Sequence, residues 1–195
     1  TCPDSLTLAR MTKEFSVNRL DIKAFAQHEA ALDGEQPMGQ FPRLMAEDLR
    51  GEAAAGEPVH WSLDGEWREA TGGPGHAWLH LQADTAVQLQ CQRCLRPVDI
   101  AVQTERSFRF VKDEATAAAL DDESEEDVLV MEPNFNAHEL IEDDLLMALP
   151  MVPMHDECPV ELKLESATQG FEEANTEKAN PFAALASLRL DKTKP

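Results

Sequence analysis

Leu79-His80-Leu81-Gln82-Ala83-Asp84-Thr85-Ala86-Val87-Gln88-Leu89-Gln90-Cys91-Gln92-Arg93-Cys94-Leu95-Arg96-Pro97-Val98 alternates apolar and polar residues as far as Gln90, then breaks into a Cys-x-x-Cys turn ended by proline. Successive side chains of an extended strand point to opposite faces. Leu79, Leu81, Ala83, Val87 and Leu89 therefore share one face, and His80, Gln82, Asp84, Gln88 and Gln90 share the other. A similar run precedes it, with Val59, Trp61, Leu63, Gly65 and Trp67 against His60, Ser62, Asp64 and Glu66. Another follows, with Val98, Ile100, Val102, Phe108 and Phe110 against Asp99, Gln103, Glu105 and Arg109. Thr71-Gly72-Gly73-Pro74-Gly75 supplies turn chemistry between the first two runs, and Cys91 to Pro97 links the second to the third. Three half-buried strands in succession predict an antiparallel meander, which could curl toward a barrel.

Outward from the meander, the spacing of Ala137, Leu140, Ile141, Leu145, Ala148 and Leu149 predicts a helix over 137–149, capped by Asn136 and stopped by Pro150. Phe41, Leu44, Met45 and Leu49 predict another over 41–50, and short strands are expected near 14–17 and 128–131. Asp121-Asp122-Glu123-Ser124-Glu125-Glu126-Asp127 should repel itself, so 112–127 is read as a mobile loop. Residues 165–179 read as an acidic flexible linker. Asn180-Pro181 then opens a short helix whose Phe182, Leu185 and Leu188 share a face that must dock on its own domain or on a partner. The expected architecture is α+β: one domain over 1–164 with an N-terminal extension, the linker, and a tethered helix and tail over 180–195.

The 195 residues carry 17 Lys and Arg against 37 Asp and Glu, a formal net charge of −20. Affinity for nucleic acid rests on cations that release counterions from phosphates, so this balance disfavours DNA and anionic membranes and favours a basic protein partner. The longest apolar run, Leu145 to Met154, contains two prolines and falls short of a bilayer span. The first residues hold no basic and apolar leader pattern, so a cytoplasmic address is expected.

Cys91-x-x-Cys94 at the turn and His155-x-x-Cys158 form two donor pairs of equal spacing. Tetrahedral zinc takes such a Cys₃His set. Sixty residues separate the pairs, so only the fold can join them, and reduced structural thiols remain the alternative. A redox role is weaker, because that chemistry wants its first cysteine at a helix N-terminus rather than between strands. Arg93, Arg96, Arg106 and Arg109 form a candidate RNA-binding patch. Asp121, Asp122, Glu123, Glu125, Glu126, Asp127, Phe182, Leu185 and Leu188 are candidate partner contacts. No phosphate loop or nucleophile motif occurs, so an enzyme is not expected.

The stretch Leu89 to Val98, the run Glu142-Asp143-Asp144-Leu145-Leu146-Met147-Ala148-Leu149-Pro150-Met151-Val152-Pro153-Met154-His155, and Asn180 to Leu188 occur in an order that resembles the YceD family. These are bacterial large ribosomal RNA subunit accumulation proteins with relatives in plastids. The resemblance implies a non-enzymatic role in the synthesis, processing or stability of 23S ribosomal RNA. It brings no catalytic residue with it. Against a charge of −20, that role suggests action through a basic ribosomal protein or a precursor of the large subunit; direct contact with 23S RNA through the arginines is the alternative.

Overall fold

A computed structural model describes residues 15–69, 75–121, 124 and 126–161. The chain divides into a unit of residues 1–156 and a second of 157–195, of which 157–161 are described as irregular. Five strands form one open sheet in the order β1 (Ala31–Pro37), β2 (Pro58–Arg68), β3 (His76–Gln90), β4 (Pro97–Val111), β5 (Asp127–Val130). The β1–β4 meander is antiparallel and β5 joins parallel to β4, so the sheet is mixed and does not close into a barrel. The fold is α+β.

The alternation places the core as expected. Val59, Trp61, Leu63, Leu79, Leu81, Ala83, Val87, Val102, Phe108 and Phe110 are buried on one face of the sheet. Three helices contribute to that core: α1 (Ile22–Gln27) through Ile22 and Phe25, α2 (Pro42–Glu47) through Leu44, and α4 (Ala137–Met147) through Ile141 and Leu145. Gly65 shows how closely the layers meet. A Cβ there would lie 2.7 Å from Phe25 Cδ1 and 2.9 Å from the Phe25 carbonyl oxygen.

Strands β3 and β4 outrun their neighbours, which leaves edge groups that the sheet itself cannot satisfy. β2 pairs with β3 only as far as Asp84. Beyond it, Leu49 N–H donates to the Gln88 carbonyl, and Gln88 N–H donates to the buried Asp48 carboxylate at 3.0 Å. Burial alone would raise the Asp48 pKa. The Arg50 side chain and the N–H groups of Gln88 and Arg50 outweigh it and hold the carboxyl below its usual range. This contact explains why α2 ends at Glu47 and not at residue 50: Asp48 turns to extended backbone (ψ 126°) to reach β3.

On the other side, β5 reaches β4 only from Phe108 onward. Asp144 of α4, 2% exposed, takes up part of that edge by accepting from Thr104 Oγ1 and from Arg106. Arg106 also pairs with Asp127. A second buried acid of α4, Glu142, accepts the N–H groups of Arg43 and Leu44 at 2.7 and 3.3 Å and so caps the first turn of α2 from another element.

Other sequence readings change. Residues 112–127 are not a continuous loop: α3 (Glu114–Asp121) forms there, capped by Asp113 through the N–H of Thr116 and lined with Ala115, Ala117, Ala118 and Ala119. Asn136 precedes α4 without a side-chain cap, while Ala137 N–H goes to the Val17 carbonyl. In place of the strand expected over 14–17, the described residues show an isolated bridge between Ser16 and Arg19. α1 and β1 were not anticipated. Segments 165–179 and 180–195 lie outside the described residues.

Two substitutions test this packing. Gly65→Ala should cost about 1–3 kcal/mol in urea unfolding, because Phe25 and its backbone must move. Arg106→Ala should cost about 2 kcal/mol by stranding the buried Asp144, whereas Arg96→Ala, at an exposed position, should change stability by about 0.5 kcal/mol or less.

Candidate metal centre

The turn between β3 and β4 is built by its own backbone. Cys91 N–H donates to the Arg96 carbonyl, and Leu95 N–H donates to the Cys91 carbonyl, both at 2.9 Å. Leu95 closes the turn with φ 57°, a left-handed conformation that costs a non-glycine residue about 1–2 kcal/mol. Pro97, which has no N–H to lose, starts β4.

The segment after α4 runs alongside this turn. Gln92 N–H donates to the Pro153 carbonyl at 2.9 Å, and the Arg93 guanidinium reaches the His155 carbonyl at 3.2 Å. These two contacts bring His155 Nδ1 to 3.4 Å from Cys94 Sγ. Cys91 is fully buried, while Cys94 and His155 are partly exposed. Donor atoms of Cys91, Cys94 and His155 lie within 4.8 Å of one another. Cys158 follows His155 after two residues, which tether its Cα within about 11 Å of that of His155. None of Cys91, Cys94 and Cys158 is in a disulfide.

The donors suit a soft or borderline cation. Zn–S near 2.3 Å and Zn–N near 2.0–2.1 Å at tetrahedral angles put a sulfur and a nitrogen about 3.6 Å apart, close to the observed Cys94–His155 separation. The electrostatics also suit it. Burial opposes ionisation of Cys91, but the backbone N–H groups of Cys94, His155 and Arg93 and the His155 side chain point at the sulfur. They bring its pKa down to about 5, so the thiolate needed for ligation is stabilised before any cation arrives. This arrangement can hold a metal ion, and the spacing of thiols and imidazole in the sequence picks out Cys91, Cys94 and His155.

The other expected sites are treated differently by the fold. The arginines do not form one patch. Arg93 and Arg96 are exposed at the turn, whereas Arg106 lies nine residues along β4 from Pro97, about 30 Å away, on the core-facing side with Asp144. Arg109 lies on the opposite face from Arg106, against His76 at 3.0 Å. The strand period separates residues that are close in sequence. Among the acidic contacts, Asp121 ends α3, and Asp127 opens β5 and pairs with Arg106, so neither belongs to a free loop. Glu126 is exposed. Asp122, Glu123, Glu125, Phe182, Leu185 and Leu188 lie outside the described residues. Sequence reasoning missed Asp48, Glu142 and Asp144 as buried anchors. Asp144 left a signal, since it lies beside Ile141 and Leu145 on the apolar stripe of its helix.

A family profile described as large ribosomal RNA subunit accumulation protein YceD matches residues 79–189. A large ribosomal RNA subunit accumulation protein YceD of Haemophilus influenzae is 35% identical over 111 residues, covering 53% of this chain and 60% of that relative. The chain thus spans less than two thirds of the relative's length. No solved structure matches. With most of β3, the cysteine turn, α4 and all four donors inside a match that covers more than half of its length, the chain belongs to the YceD family.

Proposed function

We propose that this protein is a non-enzymatic factor supporting the accumulation of large-subunit (23S) ribosomal RNA, that it does so in the cytoplasm through a basic ribosomal protein or a precursor particle, and that Cys91, Cys94, His155 and Cys158 hold a structural zinc. The observation that carries this reading is the family match, which contains the whole donor set. The relative's name ties that protein to large-subunit RNA, and the present chain's charge of −20 favours a protein intermediary over direct contact with phosphate.

Bound zinc would supply a fixed cross-link, not a reaction centre: four protein donors close its coordination shell, as in structural sites. The residues around it do the positioning. Gln92 and Arg93 fix the backbone of Pro153 and His155, and the buried Cys91 is aimed inward by the turn. Among the described residues, no helix is long and apolar enough to cross a membrane.

The non-enzymatic reading is supported by an arrangement among the described residues that resembles a catalytic triad. His80 bonds Ser107 Oγ and Glu66, each at 2.8 Å. Glu66, however, is locked by Arg68 first and by His80 second, and its carboxyl is held at about 2. All three sit within paired strands, Glu66 opposite Trp78 and His80 opposite Ser107.

Two measurements test the proposal. Metal analysis of the purified full chain should find about one zinc per chain, lost in Cys94→Ser; a chain that carries none, or a variant that keeps it, contradicts the metal assignment. Depletion of the protein in growing cells should lower 23S relative to 16S ribosomal RNA, with restoration by the wild-type chain and not by Cys94→Ser. An unchanged ratio after depletion contradicts the ribosomal role.

A further inference from the structure

The sheet face away from the core is laid out in cross-strand rows. Glu35, His60, Asp84 and Gln103 form one row, and Asp33, Ser62, Gln82 and Glu105 form the next. Ala31, Asp64, His80 and Ser107 form a third. A groove of about 550 Å³ lies over the first two rows, lined by His60, Ser62, Gln82, Asp84, Gln103 and Glu105. The backbone positions between those rows, Trp61, Ala83 and Thr104, also line it. It is far from the cysteine turn: Asp84 and Cys91 are seven residues apart on an extended strand, about 23 Å.

The charge on this face is uneven. Asp33, Glu35, Asp64, Asp84 and Glu105 cluster around the groove, and Glu35 pairs there only with His60, at 3.6 Å. Among the described residues, Asp33, Asp64, Asp84 and Glu105 make no ion pair. The arginines of this face, Arg68 and Arg109, lie at the opposite end and are engaged, Arg68 with Glu66 and over the Trp78 ring at 4.0 Å, Arg109 with His76. Exposed carboxylates spaced at strand and row intervals, with no counter-charge of their own, raise the local negative potential. Gln82 and Gln103 add amide groups between them that both donate and accept.

Resting on the function proposed above, we infer that this groove binds an extended, arginine-rich peptide segment of the basic protein partner. Charge complementarity selects this occupant. Asp84 and Glu105 sit on adjacent strands one row apart, about 7–8 Å, so each can receive a separate guanidinium in the paired geometry that arginine and carboxylate favour. The same charges repel a phosphate backbone. The groove also explains how an acidic chain can serve RNA metabolism: it occupies the cationic segment of a protein rather than the RNA.

The test is calorimetric titration of the full chain with a synthetic Arg-Gly-Ser repeat peptide at physiological ionic strength. Asp84→Asn combined with Glu105→Gln should weaken binding about tenfold, while Glu52→Gln with Glu139→Gln, which removes the same charge at exposed positions outside the groove, should weaken it about twofold or less. Equal losses in both double variants would overturn the site, because net charge alone would then account for binding. Competition by single-stranded oligoribonucleotide at the groove would also overturn it. The two levels of the account fail separately. A cell lacking the protein but keeping its normal 23S level refutes the ribosomal role and leaves the peptide result standing. Groove variants that lose the peptide and still restore 23S RNA refute the groove's part in that role. Both double variants should unfold at the wild-type temperature, since all four positions are exposed.

Discussion

The fourteen residue pairs of the β3–β4 ladder are the interaction on which the rest of the molecule depends. Two 15-residue strands joined by a short turn form a ribbon longer than any neighbour can match. Its overhang needs other partners. Asp48 and Leu49 meet the edge of β3, and Asp144 meets that of β4 through side chains. Each acid is buried, so each is costly unless its acceptors are filled, and in both cases an arginine and other donors fill them. Helices α2 and α4 are thus positioned by polar contacts at the ribbon's edges as well as by the apolar core. Glu142 couples the two helices through the N-terminus of α2.

The ribbon was legible because its period is simple. Leu79 to Leu89 and Val98 to Phe110 declare their faces by alternation alone, and the cysteine pairs stand out because thiols and imidazole at matched spacing are scarce in such a chain. β1 was not legible. Its core-facing positions are Leu32, Gly34 and Gln36, and the apolar bulk over Gly34 comes from Trp61 of the facing strand, within 2.6 Å of where a Cβ would stand. α3 was hidden by the acidic run that follows it, although Asp113 and four alanines favour a helix. The arginine patch failed for a geometric reason: Arg106 and Arg109 are neighbours in sequence, but an odd offset along a strand puts them on opposite faces.

The ribbon carries two separate features on one rigid element, a donor cluster at its turn and an acidic groove near its middle. Neither needs the other's chemistry. Hydrogen bonds from Gln92 to Pro153 and from Arg93 to His155 hold the turn against the segment after α4. The groove lies open over β2, β3 and β4. A partner engaging one of them would meet a preformed surface, with little ordering left to do on binding.

Amide hydrogen exchange on the full chain, with zinc and after chelation, tests most directly whether the turn is locked to the segment after α4 by the donor cluster. The account predicts that chelation speeds exchange at Gln92 and Leu95, whose N–H groups close the turn and its contact with Pro153, and leaves Leu81 and Phe108 in the middle of the ribbon protected. Exchange at Gln92 that is indifferent to the metal would contradict it, as would loss of protection along the whole ribbon.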